Sequence, residues 1–462
     1  MKIESVTMAD GSTVNYTYDG EDRQISVSDP LGNKTLTSYD KGGRVISKTD
    51  AEGNTVSVEY DNAGRAVAEI NPKGARTEKV YDSAGNVIKV TDAFGNSITY
   101  QYDCMSRVIR KTDALSGTTL YKYSKAGELT EQTDALGNTV TQEYDEYGNV
   151  REKTDAMGNK TVYEYDLNGN MTAVIDAMGN KTSYSYDGRG LLVCVENVKG
   201  NCVHYTYDAL GRRIAVTDFK GNIVRTAYDA NGNMLYMTDA KGNKVSETEY
   251  NELNLPIKTT DAIGNVTTYT YNALGKIETV TDALGHKQIY SYNARGMNTA
   301  VTDALGNTST TAFDALGKTT ALTGPKGAKT EYEYDILGRL ISKTTVSGGK
   351  VKYTYNANSL KEELINARGH KRTFTYDAIG RIVGWTSIED SASYTYDANG
   401  NILTATDMFG TVRRTYDALN RVSSYTDQFG YGVGYEYDEV GNLKKVIYPE
   451  GSEVVYDCLN YL

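Results

Sequence analysis

The chain has 462 residues, of which 39% are hydrophobic, and a formal net charge of −11 at pH 7. Tyrosine supplies much of the apolar content (39 Tyr against 6 Phe and 1 Trp), and a content below the usual ~45–50% argues against one compact, filled core. No apolar run approaches the ~18 residues of a membrane-spanning helix, and the acidic balance argues against a basic nucleic-acid-binding surface. We therefore expect no membrane span and no nucleic-acid partner.

A Tyr-Asp dipeptide first appears at Tyr18 and returns every 21 residues, with few departures from that spacing. It marks 22 anchors, in which Phe313 once replaces the tyrosine and Ser124 once replaces Asp or Asn. A short, fixed period over a whole chain predicts a repeat architecture, in which each unit buries apolar surface only against its neighbours. We predict a single array of 22 repeats over residues 1–462.

Each repeat contains two turn signals of the form D-x-x-G. After the anchor Tyr144, the first turn runs from Asp145 to Gly148 and the second from Asp155 to Gly158. Asp can accept hydrogen bonds from the following backbone amides, and Gly at the fourth position adopts positive φ without a Cβ clash. The same structural roles are predicted for Tyr39, Asp40, Gly43, Tyr60, Asp61, Gly64, Tyr207, Asp208, Gly211, Asp218 and Gly221.

Substitutions in the turns support this interpretation. The fourth position of the first turn is Gly in 16 of 22 repeats, and the exceptions are Asp22, Ser106, Asn254, Ser359, Asn420 and Asn460. Asp and Asn also tolerate the left-handed region, so we expect positive φ at these positions. Four of the five prolines occupy the second position of the second turn, where a type I turn requires φ near −65°. These are Pro30, Pro72, Pro325 and Pro449.

The segments between turns predict strands. They have roughly six or seven residues, are rich in Thr, Val, Ile and Tyr, and contain pairs such as Tyr100 and Tyr102 that share one face. The fold class is therefore all-β, with antiparallel β-hairpin repeats of about 44 strands in a wide sheet. Because the period is odd, either one turn differs in length or each repeat carries a β-bulge. The anchor spacing changes at 228–250 and within 376–456, where we predict changes of register or curvature.

The sequence offers little for catalysis or for a cofactor. Turn positions hold 31 of the 60 acidic residues, and every repeat gives them the same environment, which argues against a catalytic pair and for a non-enzyme. Rows of turn acids could hold hard cations, but the nonapeptide of calcium-binding β-rolls is absent. His286 and His370 stand where Asn usually follows the turn glycine, and His204 lies in a strand. We predict no catalytic, cofactor or metal residues.

The four cysteines follow no zinc-site spacing. Cys104 and Cys458 occupy the third position of a first turn. Cys194 and Cys202 flank one second turn and could lie diagonally on one face, so a disulfide between them is one alternative. Their strand positions are not obviously opposite, however, and we favour unpaired cysteines.

The pattern Y-x-Y-D-x-x-G-R/N followed by T-D-A-x-G-N resembles the YD repeat of the Rhs (rearrangement hotspot) family. Residues 207–212, with Thr217 and Asp218, are a close example, as are residues 334–339. The resemblance covers the whole chain and includes bacterial polymorphic toxins, wall-associated toxin proteins, toxin complex B and C components and teneurins. It implies hairpins that wind into a spiral sheet, a hollow shell around a C-terminal toxin domain or folded partner segment.

The resemblance implies a non-catalytic scaffold of a secreted or cell-surface toxin. The expected partners are a toxin domain and neighbouring shell segments, because no self-cleaving core or toxin tail is recognisable and both ends resemble cuts through an array. The alternative is a surface adhesin that binds carbohydrate, with glycans as partners. Choline- and glucan-binding wall repeats have a similar period, but they rely on Trp, of which this chain has only Trp385.

Overall fold

The computed structural model describes residues 2–456. Its contacts divide the chain into two compact units: unit 1 contains Met1–Ile98, Thr226–Thr354 and Ile365–Gly369, and unit 2 contains Thr99–Arg225, Tyr355–Leu364 and His370–Leu462. All strands belong to one 44-stranded antiparallel sheet, and the described residues contain no helix. The predictions for Asn460 and Cys458, and the Asp of the last anchor, lie outside the described residues.

The strands follow one another as a meander. The first half comprises β1 (Ser5–Thr7), β2 (Thr13–Tyr18), β3 (Gln24–Ser28), β4 (Lys34–Tyr39), β5 (Val45–Thr49), β6 (Thr55–Tyr60), β7 (Ala66–Ile70), β8 (Arg76–Tyr81), β9 (Val87–Thr91), β10 (Ser97–Tyr102), β11 (Val108–Thr112), β12 (Thr118–Tyr123), β13 (Leu129–Thr133), β14 (Thr139–Tyr144), β15 (Val150–Thr154), β16 (Lys160–Tyr165), β17 (Met171–Ile175), β18 (Lys181–Tyr186), β19 (Leu192–Glu196), β20 (Cys202–Tyr207), β21 (Arg213–Thr217) and β22 (Ile223–Tyr228).

The second half comprises β23 (Met234–Thr238), β24 (Lys244–Tyr250), β25 (Pro256–Asp261), β26 (Val266–Tyr271), β27 (Ile277–Thr281), β28 (Lys287–Tyr292), β29 (Asn298–Thr302), β30 (Thr308–Phe313), β31 (Thr319–Thr323), β32 (Lys329–Tyr334), β33 (Leu340–Thr344), β34 (Lys350–Tyr355), β35 (Lys361–Ile365), β36 (Lys371–Tyr376), β37 (Ile382–Ser387), β38 (Ser391–Tyr396), β39 (Ile402–Asp407), β40 (Gly410–Tyr416), β41 (Val422–Thr426), β42 (Gly432–Tyr437), β43 (Leu443–Ile447) and β44 (Glu453–Val455).

A β-bulge accounts for the odd period. Between β14 and β15, Glu143 pairs with Glu152 but Tyr144 pairs with Val150, which leaves Arg151 as an extra residue beside the anchor. The same shift recurs at anchors from Tyr18 to Tyr437. The two turns flanking β15 have equal length, since five residues separate Tyr144 from Val150 and Thr154 from Lys160. Of the two predicted alternatives, a difference in turn length or a bulge, the structure shows the bulge.

The predicted left-handed turn positions are also confirmed. Each of the five described exceptions to glycine has φ between 60° and 67°: Asp22, Ser106, Asn254, Ser359 and Asn420. Ser116, at the fourth position of a second turn, has φ 72° and was not predicted. Within 228–250, the register of β23 and β24 shifts between Met237 and Thr238, and near the end a short turn pairs Asp407 directly with Gly410.

The two faces of the sheet differ in composition. In β10, Tyr100 and Tyr102 are half-buried on one face, whereas Thr99 and Gln101 are exposed on the other. We call these the tyrosine face and the charged face, because ion pairs cross the second one. Arg76, for example, bridges Glu59 at 2.6 Å and Glu78 at 2.8 Å, and both glutamates pair in register with the buried Ala68.

No conventional core is present in residues 2–456. The buried hydrophobic residues are Ala68, Ala75, Ala173 and Val446, and no large side chain is fully enclosed. Burial therefore comes from neighbouring repeats, as the composition predicts.

Candidate functional site

The anchor tyrosines join each repeat to the one before it. The Tyr144 hydroxyl donates to the carbonyl of Leu129, 15 residues earlier, at 2.7 Å, and Tyr207 contacts Leu192 in the same way at 2.8 Å. Tyr39 and Tyr60 repeat the bond at 2.9 and 2.8 Å. Partial burial raises the pKa of Tyr144. These hydroxyls stabilise the sheet, at about 1 kcal/mol for a typical bond.

The turn aspartates accept the bonds that the sequence predicts. Asp145 Oδ1 accepts the amides of Tyr147 and Asn149 at 2.9 Å, and Oδ2 accepts the side-chain amide of Asn149 at 3.0 Å. The bond from the Asn149 side chain holds the pKa of Asp145 below its usual value. Asp40, Asp61, Asp155, Asp208 and Asp218 make equivalent turn bonds, and φ is 79–87° at Gly43, Gly64, Gly148, Gly158, Gly211 and Gly221.

Arginine in the fifth position of the first turn adds a second link between repeats. Arg44 pairs with Asp40 of its own turn at 2.6 Å, and its guanidinium lies 4.8 Å from the ring centroid of the next anchor, Tyr60. Arg65, with Asp61 and Tyr81, repeats the arrangement. The anchor tyrosines and these arginines thus make contacts between successive repeats, and the anchors are spread along the sheet, one in each repeat.

The turns themselves form two edges, which sequence reasoning missed. Because the strands alternate in direction, all first turns lie at one end of the strands and all second turns at the other; we call these the first-turn edge and the second-turn edge. Within each unit, second turns that come early in the chain lie against first turns that come late in the chain.

In unit 1, second turns of residues 50–94 contact first turns of residues 295–339. Arg295 pairs with Asp50 at 3.0 Å, and Lys73 pairs with Asp314 at 2.6 Å. The Asn71 side chain donates to the carbonyl of Ile336, 265 residues away, at 2.8 Å. The contacts between these two edges thus include ion pairs and a side-chain hydrogen bond.

In unit 2, early second turns again contact late first turns: those of residues 113–199 contact those of residues 358–438. The Asn358 side chain donates to Asp113 at 2.9 Å, across 245 residues, and Lys199 donates to Asp438 at 3.0 Å, across 239 residues. Gly117 fits closely here, because a Cβ at this position would lie 2.7 Å from Asp113 Oδ2 of the same turn and 2.9 Å from the carbonyl oxygen of Ala378 on the opposing edge.

Other stretches of the same edges stay open. Apolar turn residues on the early first-turn edge are strongly exposed, as at Leu167 (94%) and Leu210 (74%), and so are those on the late second-turn edge, as at Leu305 (88%). On the covered stretches the exposure is lower, for instance 37% at Ile336 and at most 54%, at Met157. The sequence signal was the recurrent Leu, Met, Ile or Phe inside these turns, where polar residues normally predominate.

The expectation of unpaired cysteines was wrong for Cys194 and Cys202. They form a disulfide, with Cα atoms 6.0 Å apart. Cys194 pairs in register with His204, and Glu196 pairs with Cys202, so the two cysteines are diagonal neighbours on the charged face. A diagonal pair lies within the usual Cα range of about 4.4–6.8 Å. Cys104 is free and exposed.

Comparisons with known proteins agree with this architecture. The family model described as Teneurin YD-shell matches residues 77–239, 265–384 and 358–459, and the RHS Repeat model matches residues 39–76. No curated protein matches the sequence.

Solved structures share the fold at low sequence identity. The structure of TcdB2-TccC3 without its hypervariable C-terminal region matches with a TM-score of 0.61 and 14% identity, over 96% of this chain and 34% of that one. TcdB2-TccC3-TEV gives 0.59 and 13%, over 95% and 35%. The Tc holotoxin pore of Photorhabdus luminescens gives 0.51 and 14%, over 96% and 30%. The chain thus spans about a third of the length of each of these structures. Because the Teneurin YD-shell model matches more than half of its residues, the chain belongs to the teneurin YD-shell family.

Proposed function

We propose that this chain is a non-catalytic wall segment of a secreted or cell-surface toxin shell, which encloses a toxin domain and joins neighbouring shell segments through its turn edges. The observation that carries the proposal is the edge-to-edge contact. In both units it joins early second turns to late first turns, and it leaves equivalent apolar stretches uncovered. A wall built by stacking turn edges needs such surfaces at its margins.

The tyrosine face supports a lining role. Its rings are half-buried, and the anchor hydroxyls already donate to backbone carbonyls of the neighbouring repeat. A face whose hydroxyl groups are already hydrogen-bonded within the sheet is suited to lining a compartment. It is poorly suited to recognising a sugar by directed hydrogen bonds, so we do not retain the carbohydrate-binding alternative.

The regular environment of the turn acids supports a non-catalytic role. At Asp145 and Asp166 the depressed pKa comes first from the side-chain amide of the Asn in the same turn, and equivalent turn bonds recur along the array. A general acid or base needs a pKa tuned by one distinctive environment.

Protease protection tests the proposal. The reading frame beyond the codon for Leu462 is determined, and the intact gene product is digested alongside its downstream domain expressed alone. We expect the downstream domain to resist cleavage in the intact product and to be cleaved when alone or when urea opens the shell. A gene without such a domain, or a domain cleaved equally fast in both forms, would falsify the shell role.

A further inference from the structure

One hairpin concentrates donors that bind thiophilic metals. The chain has only four cysteines and three histidines, and three of these seven residues fall within 194–204: Cys194, Cys202 and His204. Equivalent positions in the neighbouring repeat hold Ala173, Lys181 and Ser183, so the repeat pattern does not require the cluster.

The pairing of β19 and β20 brings the three side chains together. Cys194 is opposite His204, and Cys202 is two residues before His204 on the same strand, so all three project from the charged face. Their ligand atoms lie within 4.8 Å of one another, and Cys202 Sγ is 3.6 Å from His204 Nδ1. Glu196, in register with Cys202, adds a negative charge to the same face.

We propose that, once the Cys194–Cys202 disulfide is reduced, the two thiolates and the His204 imidazole bind one Zn²⁺ with an open fourth position. Two thiolates and one imidazole form a zinc donor set in proteins, at metal–ligand distances of about 2.0–2.3 Å. The cysteines flank a five-residue turn of a paired hairpin, so the donors are held before the metal arrives. His204 is exposed, which leaves the fourth position to water.

Oxidation and metal binding exclude each other at this site. A trialkylphosphine reduces the disulfide by taking oxygen from one water, which yields the phosphine oxide and two thiols. Each thiol then releases its proton as it binds zinc as a thiolate. The disulfide offers no thiolate, so the oxidised hairpin retains only His204 as a ligand.

Sequence reasoning overlooked this site because zinc motifs are sought as spacings along the chain. Here the donors come together across a hairpin, in which Cys194 and His204, ten residues apart in the chain, are directly opposite each other. The signal was present as two cysteines flanking one turn with a histidine two residues further on.

Zinc titration of the whole chain tests the proposal. A Cys104→Ser/Cys458→Ser background removes the other thiols, and binding is measured against a chromophoric chelator before and after phosphine reduction. We expect one Zn²⁺ per reduced chain and none per oxidised chain. Cys202→Ser should abolish this binding, His204→Gln should weaken it at least tenfold, and the control His286→Gln should leave it unchanged. Circular dichroism checks that each variant keeps its sheet.

Cobalt supplies an independent readout, because Co²⁺ bound by thiolates gives charge-transfer absorption that carboxylates and imidazole alone do not. We expect that absorption only in the reduced chain with both cysteines. The proposal is overturned if the reduced chain takes up no stoichiometric zinc, if the oxidised chain binds equally well, or if His204→Gln binds as tightly as the parent.

Discussion

The covered and open stretches of the turn edges are built from the same repeat but differ in what lies against them. Arg295, on a covered stretch, and Arg189, on an open one, both hold the third position of a first turn and donate to a carbonyl of the next repeat, at 3.1 and 2.9 Å. Arg295, whose own turn begins with Asn293, reaches Asp50 across the edge, whereas Arg189 pairs with Asp187, the first residue of its own turn. One turn chemistry thus serves both as a solvent-facing loop and as an interface.

The largest expected difference between the edges is steric. Gly117→Ala places a Cβ 2.7 Å from Asp113 Oδ2 of its own turn, a side-chain atom that can shift, and 2.9 Å from the carbonyl oxygen of Ala378 on the opposing edge, a backbone atom that cannot move aside locally. We expect a loss of about 1–3 kcal/mol in the free energy of unfolding. The control Gly188→Ala lies on an open stretch with nothing within 4 Å of the new Cβ, so it should be neutral or slightly stabilising. Urea denaturation followed by circular dichroism measures both, and equal losses would contradict the covered edge.

How far the sequence predicted this molecule depends on the range of the interaction. The bulge at Tyr144 and the left-handed Asn254 follow from the period and from turn stereochemistry, which act within one repeat. The contact of Lys199 with Asp438 could not be predicted, because it depends on small rotations summed over the intervening repeats. The prediction of unpaired Cys194 and Cys202 was wrong for a local reason. Their diagonal register follows from the length of one turn, which sequence analysis did not take into account.

An ion pair gives the next effect. Asp438 is 11% exposed and accepts from Lys199; desolvation opposes its ionisation, but Lys199 and the amides of Asn442 hold the pKa of Asp438 at about 2. We expect Asp438→Asn to cost about 1–2 kcal/mol near neutral pH, after allowance for solvent screening. Asp145→Asn, on an open stretch, should cost less than about 0.5 kcal/mol, because Asn272 fills the same turn position naturally.

The pH dependence of that difference follows from the sign of the shift. The folded-state pKa of Asp438 lies below its unfolded value of ~3.9, so the stabilisation is complete above that pH and is lost as the pH falls towards about 2. Urea denaturation at several pH values should show the cost of Asp438→Asn shrinking in acid. A cost that stays constant down to that range would exclude the Lys199 pair as its source.

A matched pair of leucines tests the apolar part of the edges. Leu337 and Leu210 occupy the same position of D-x-L-G-R turns, but Leu337 is half-buried on a covered stretch and Leu210 is 74% exposed. Leu337→Ser should lower the free energy of unfolding by about 1 kcal/mol, and Leu210→Ser should change it by less than about 0.5 kcal/mol. Thermal unfolding by calorimetry measures both, and a Leu210→Ser loss as large as that of Leu337→Ser would show that the turn itself needs the leucine.

The smallest expected effect comes from the two arginines, and salt separates them. Arg295 is 19% exposed at its pair with Asp50, whereas Arg189 is 49% exposed. Arg295→Gln should cost about 0.5–1 kcal/mol and Arg189→Gln about 0.2–0.5 kcal/mol, because exposed pairs contribute little. Salt screens exposed charges more than partly buried ones, so ~0.5 M NaCl should remove the Arg189→Gln cost and leave most of the Arg295→Gln cost. If both costs fall equally in urea titrations with added salt, the covered edge is as well solvated as the open one, and its polar contacts contribute no more than ordinary surface pairs.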